Sequence, residues 1–110
     1  MDSKLLAGTL EMLLLEVVSQ GPSYGYEIVQ TVTARSRGQL GLKEGSLYPA
    51  LHRLERKKLL SSSWSEVDSR RRKYYRVTDS GRRILDAKRD EWMQFATGVN
   101  GVLGVQRGLA

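Results

Sequence analysis

Residues 42–60 read LKEGSLYPALHRLERKKLL, and the fold turns on how this stretch is read. Leu47, Ala50, Leu51 and Leu54 recur at intervals of +3, +1 and +3, the spacing of one apolar face of a helix. Ser46, Tyr48, Pro49, His52, Arg53, Arg56 and Lys57 fall on the opposite side, which is polar and cationic. The spacing predicts a helix beginning near Gly45 or Ser46, with Pro49 in its first turn, where a missing N–H costs little. Taken alone, such a segment is also what an ordinary solvated surface helix looks like. The flanking sequence decides between the two.

Upstream, Leu6, Leu10, Leu13, Leu14 and Val17 form a core stripe over residues 4–19, with Glu11 and Glu16 on the other side. Gly21-Pro22 stops that helix. Ser23 is a good N-cap for a second helix over about 24–36, whose buried side is Ile28, Val29 and Val32. Gly25 in its first turn is costly for a helix and points to close packing against another element. Residues 37–45 form a loop, in which alternating Leu40 and Leu42 allow a very short strand.

Downstream, residues 60–67 and 74–78 read as two strands. In the second, Tyr75 and Val77 share one face, and Tyr74 and Arg76 the other. Arg70, Arg71, Arg72 and Lys73 fall in the expected hairpin tip. Four adjacent cations repel one another, so the run makes sense if an anion neutralises it; a solvated turn is the plain alternative. Thr78 caps a last helix, with Asp79 suited to its N-terminal dipole. Leu85, Trp92, Phe95, Val99 and Val102 follow a heptad seam interrupted at Lys88. Glycines at 98, 101, 104 and 108 weaken that helix, and fraying is expected from about residue 104.

The 110-residue chain carries a net charge of +6 and a pI near 9.9, which favours polyanionic partners. It has no cysteine and a single histidine, His52, so neither a thiolate nor a histidine metal cluster is expected, and no cofactor. No catalytic triad, phosphate loop or paired carboxylate motif appears, which argues against an enzyme. Charged residues break every apolar run far short of the roughly 20 residues that span a bilayer, so a cytoplasmic protein with no membrane partner is expected.

Three helices, a two-stranded hairpin with a basic tip and a final helix make a mainly α winged helix-turn-helix with a C-terminal dimerisation helix. Residues 1–78 would be the DNA-binding domain, and 79–110 the dimerisation helix with a frayed tail. In that arrangement the third helix enters the major groove and the hairpin follows the backbone or the adjacent minor groove. A winged-helix module that binds protein, its basic wing incidental, is the competing reading.

The segments GPSYGYEI (21–28), EGSLYPALHRLERKKLL (44–60) and RRKYYRVTDSGRRIL (71–85) resemble the PadR family of bacterial transcriptional regulators. The chain's length and single C-terminal helix resemble the family's smaller subgroup. The resemblance implies a homodimeric repressor on inverted-repeat double-stranded DNA, often released by a small aromatic or drug-like effector. Resemblance and geometry together nominate Tyr24, Lys43, Ser46, Tyr48, His52 and Arg53 for DNA contact, with Arg70, Arg71, Arg72 and Lys73 in the wing. The resemblance also places Trp92, with Phe95 and Val99, at the dimer centre, where Trp92 either packs or stacks on an aromatic ligand. The family commonly has glycine between the third helix and the first wing strand. Here Lys57-Lys58 stands in its place, so a locally different turn is expected.

Overall fold

The computed structural model describes residues 3–105; the expected frayed tail at 106–110 lies outside the described residues. The elements run α1 (Ser3–Ser19), β1 (Ser23–Tyr24), α2 (Gly25–Arg35), α3 (Glu44–Arg56), β2 (Leu60–Val67), β3 (Arg70–Val77) and α4 (Asp79–Leu103). The strands form one antiparallel sheet in the order β1-β3-β2. This is a winged helix-turn-helix with a long final helix.

Leu47, Ala50, Leu51 and Leu54 are all buried, so the predicted face of α3 is its core face. They close on Ile28 and Val32 of α2, on Leu60 and Tyr75 of the sheet, and on Leu85 of α4. α1 runs through the middle of this cluster. Because α2, α3, α4 and β3 all pack on it, its buried face is wider than one stripe: Leu15 and Val18 are as buried as Leu14, while Leu13 is only half-buried.

Several expectations are corrected. Ser23 does not cap α2; it pairs with Tyr75 as part of β1, and Tyr24 takes the N-cap position. There the Tyr24 N–H donates to the Glu27 carboxylate at 3.2 Å. α3 begins at Glu44, earlier than the glycine and serine suggested, with Lys43 at its N-cap and no side chain capping it. Pro49 therefore stands inside the helix, one turn later than expected, and the Gly45 carbonyl cannot receive the usual bond from residue 49. Leu40 and Leu42 form no strand; Leu42 is simply buried in the core from the loop. Arg70–Lys73 are not a loop tip but the first half of β3, because the turn needs only Asp68 and Ser69. Both turn residues have positive φ, 52° and 62°, the signature of a two-residue hairpin turn. Glu11 and Glu16 do not merely face solvent. Glu11 pairs with Arg53 of α3 and with Lys57 at that helix's C-cap, and Glu16 with Arg89 of α4.

The exit from α3 keeps the turn that glycine would give. Lys58 takes a left-handed φ of 62°. Its N–H donates to the Glu55 carbonyl, and the Leu59 N–H donates to the Leu54 carbonyl, both at 2.9 Å. That is a Schellman ending, with buried Leu54 and Leu59 supplying its apolar contact. A side chain in this conformation costs roughly 1–2 kcal/mol. Lys58→Gly is therefore expected to raise stability, by up to ~1 kcal/mol after the entropy that glycine adds to the unfolded chain. Urea unfolding checks it: an unchanged or lowered midpoint would show that the turn carries no such strain.

α4 starts on that same turn. The Thr78 hydroxyl donates to the Lys58 carbonyl at 2.7 Å and accepts from the Gly81 N–H at 3.0 Å. The Thr78 N–H donates to the Leu59 carbonyl at 3.1 Å. Gly81 is buried directly against that carbonyl, with no room for a Cβ. Beyond Leu85 no described residue of α4 is buried. The helix ends at Leu103, where Gly104 turns left-handed with φ 76°. No helix among the described residues is long and apolar enough to cross a membrane.

Candidate nucleic-acid interface

Tyr24, Gly25, Tyr48, His52, Trp64, Arg71, Arg72 and Lys73 line a groove of about 430 Å³ between α3 and the wing. Each arrives from a different constraint. α3 presents Tyr48 and His52 because its other face is committed to the core. β1 brings Tyr24 to β3, where its ring meets Tyr74 edge-on at 5.4 Å. The predicted alternation of β3 holds: Tyr75 is buried and Tyr74 only half-buried. Burial raises the pKa of Tyr75 above its ordinary 10.0, with the charge of Glu55 and then Tyr48 adding to it, so the phenol stays neutral.

Gly25 is the close approach expected from its cost to the helix. A Cβ there would meet the Tyr48 hydroxyl and would lie 2.9 Å from its Cζ. The Tyr48 ring is thus laid across the start of α2, partly exposed. Gly25→Ala is expected to leave the fold standing, since the far end of an exposed side chain can swing away. It should move the Tyr48 ring and relax discrimination among DNA sequences. Comparative binding to a set of single-base operator variants reads this, and an unaltered preference would remove the Tyr48 placement from recognition.

The other nominated residues divide. Lys43 and Ser46 are exposed at the start of α3, where the uncapped N-terminus carries positive partial charge. Arg53 is not gathered into the groove; its Nε lies 3.5 Å from Glu11, drawn toward α1. In the wing, the Arg71 guanidinium covers the Trp64 ring at 4.7 Å, and that of Arg72 covers Tyr24 at 4.4 Å. Lys73 turns inward, 3.6 Å from Glu55, and Arg70 is exposed beside the turn. Glu55 in turn accepts a hydrogen bond from Ser62 Oγ, which ties α3 to β2.

Sequence reasoning missed Trp64, which is 57% exposed on the groove side of the wing. Its signal was the strand register: opposite Lys73, it shares a face with Arg71. Glu11 and Glu55 were missed too, since their cation partners lie far away in sequence.

Trp92, Phe95 and Val99 lie together on α4, exposed, with the Trp92 and Phe95 rings 6.1 Å apart. Beside them Met12, Leu13 and Glu16 of α1 join Arg89, Trp92 and Met93 of α4 around an open groove of about 740 Å³.

A helix that presents Tyr48 and His52, beside a wing whose Arg71, Arg72 and Lys73 line the same groove, defines a winged-helix transcriptional regulator. Residues 14–87 match the Transcriptional regulator PadR-like family, and the chain belongs to that family, whose members are regulators and not enzymes. It is 42% identical over 66 residues to the transcriptional regulator Rv3488 of Mycobacterium tuberculosis, covering 60% of this chain and 62% of that one. Its structure resembles a transcriptional regulator of Clostridium thermocellum, with a TM-score of 0.83 at 31% identity over 89% of this chain and 96% of the other. It also resembles a PadR family regulator of Eggerthella lenta, with a TM-score of 0.80 at 36% identity over 94% and 88%.

Proposed function

We propose that this chain is a sequence-specific repressor that binds an inverted-repeat operator as a homodimer and lets go when a small aromatic or drug-like molecule binds. The observation that carries the DNA-binding part is the groove in which Tyr48 and His52 of α3 face Arg71 and Arg72 of the wing. Donors on a helix set into the major groove read base edges, and wing cations hold the backbone. Tyr24, Lys43, Ser46 and Arg70 extend this surface toward phosphates. Arg53 joins it by exchanging Glu11 for a phosphate, and Lys73 by leaving Glu55.

The dimer reading rests on α4. Trp92, Phe95, Val99 and Val102 form an apolar stripe that the rest of the described chain leaves uncovered. A second copy of the helix would bury it along a coiled-coil-like seam. The effector reading rests on the open groove between α1 and α4, which Trp92 lines and where its ring would stack on a flat ligand.

Footprinting on the promoters of the protein's own and neighbouring genes, with the mass measured in solution, tests the proposal. A dimer protecting two half-sites about one helical turn apart, roughly 34–36 Å, is the expected result. Protection that ignores sequence, with a shallow salt dependence, would favour a protein-binding module instead. A monomer would remove α4 from the assembly.

A further inference from the structure

Arg71 and Arg72 are consecutive on β3, so their side chains leave opposite faces of the wing. Each nevertheless ends over an aromatic ring, and the two rings come from the two different strands that flank β3. The register explains how. Trp64 of β2 is paired with Lys73, two residues beyond Arg71. Tyr24 of β1 is paired with Tyr74, two residues beyond Arg72. Both contacts are therefore the same diagonal cross-strand step, which long side chains can span. Neither guanidinium is within ion-pairing distance of a carboxylate among the described residues, whereas Arg53, Lys57, Lys73 and Arg89 each are.

We infer that Trp64 and Tyr24 are positioning residues that hold Arg71 and Arg72 extended and unneutralised along the α3–wing groove that both line, ready for phosphate. The proposal rests on the DNA-binding reading. An arginine free in water must give up rotamer freedom when it docks on an anion. A ring beneath the guanidinium removes much of that freedom beforehand and does not cancel the charge, as a carboxylate would. It also leaves the N–H groups at the edge of the guanidinium plane free to donate. The arrangement also gives a use to two features of the wing. One is a tryptophan more than half exposed in a strongly basic setting. The other is a third strand only two residues long, which brings Tyr24 alongside β3.

Trp64 is the cleaner test, because it is exposed and supports no core contact. Trp64→Leu should weaken operator binding by about two- to fivefold, the range of one exposed cation–π contact. Trp64→Phe, which still offers a ring, should stay near wild type. The slope of affinity against salt should be the same in all three proteins, since no charge is removed. In an Arg71→Ala background, Trp64→Leu should have no further effect. In the free protein, ¹⁵N relaxation of the Arg71 Nε–H should report an ordered side chain that loosens in Trp64→Leu. A Trp64→Leu protein that binds as wild type, or that loses as much in the Arg71→Ala background, would overturn the inference while leaving DNA binding intact. An Arg71 side chain already loose in the wild-type protein would overturn it without reference to DNA. A wild-type protein that binds no promoter DNA would refute the DNA-binding reading, and this inference with it.

Discussion

Gly81→Ala is expected to lower stability by about 2 kcal/mol or more, at the upper part of the usual overpacking range. The direction is informative, because replacing an exposed helical glycine with alanine normally gains up to ~1 kcal/mol. At residue 81 the new methyl would run into the Leu59 carbonyl oxygen and lie 2.7 Å from Val77 Cγ2. The carbonyl cannot retreat. It accepts the Thr78 N–H, and its own residue is pinned by the Leu59 N–H bond to Leu54 at the end of α3. Relief would require pulling α4 off the α3–β2 turn, which breaks the Thr78 contacts as well. A small domain whose whole stability is about 5–15 kcal/mol would feel this as a large change. Gly101→Ala is the internal control: it lies in the same helix, on the side away from the apolar stripe, with nothing within 4 Å of a new Cβ. Urea unfolding should move the two variants in opposite directions, and a stabilised Gly81→Ala would refute the close approach.

The other large effect concerns the wing. Replacing Arg71 and Arg72 together with alanine is expected to weaken operator binding by roughly a hundredfold or more at low salt, given about 1.5–3 kcal/mol for each charged hydrogen bond lost. Two phosphate contacts should also vanish from the salt dependence, flattening the slope by nearly 2. The loss should fall on specific and unrelated DNA alike, because phosphate contacts carry no sequence information directly. The fold should survive, since Arg71 is exposed, Arg72 half-exposed, and each rests on a ring at the surface. Unchanged affinity with an unchanged slope would take the wing out of binding altogether.

What could be read from the sequence was whatever depended on local periodicity. The face of α3, the stop at Gly21-Pro22, the Thr78 cap and the alternation of Tyr75 and Val77 all arise within a few residues, and all appear in the fold. What could not be read was set by partners remote in sequence. Two residues, Ser23 and Tyr24, are a strand only because Tyr74 and Tyr75 stand opposite them. Four adjacent cations look like a loop until the other half of the ribbon fixes their register; Arg70–Lys73 are strand because Trp64–Val67 pair with them. Glu11 and Glu16 lie off the apolar stripe of α1, and only the assembled bundle shows that each reaches a cation on a different helix. The candidate site was legible to the same degree. Its residue types were evident, but the rings beneath the arginines were not, because a diagonal contact needs a known register.

The junction at Lys58, Leu59, Thr78 and Gly81 has a consequence for the DNA itself. No flexible linker separates the recognition helix from the helix that would join two copies; they meet through two hydrogen bonds donated by Thr78 and a glycine with no spare room. The paired protein would then behave as a ruler with fixed graduations. An operator with one base pair inserted between its half-sites moves the second by about 3.4 Å and rotates it by about a tenth of a turn around the duplex. A jointed regulator would follow that shift, whereas this one would have to bend the DNA or release half of it.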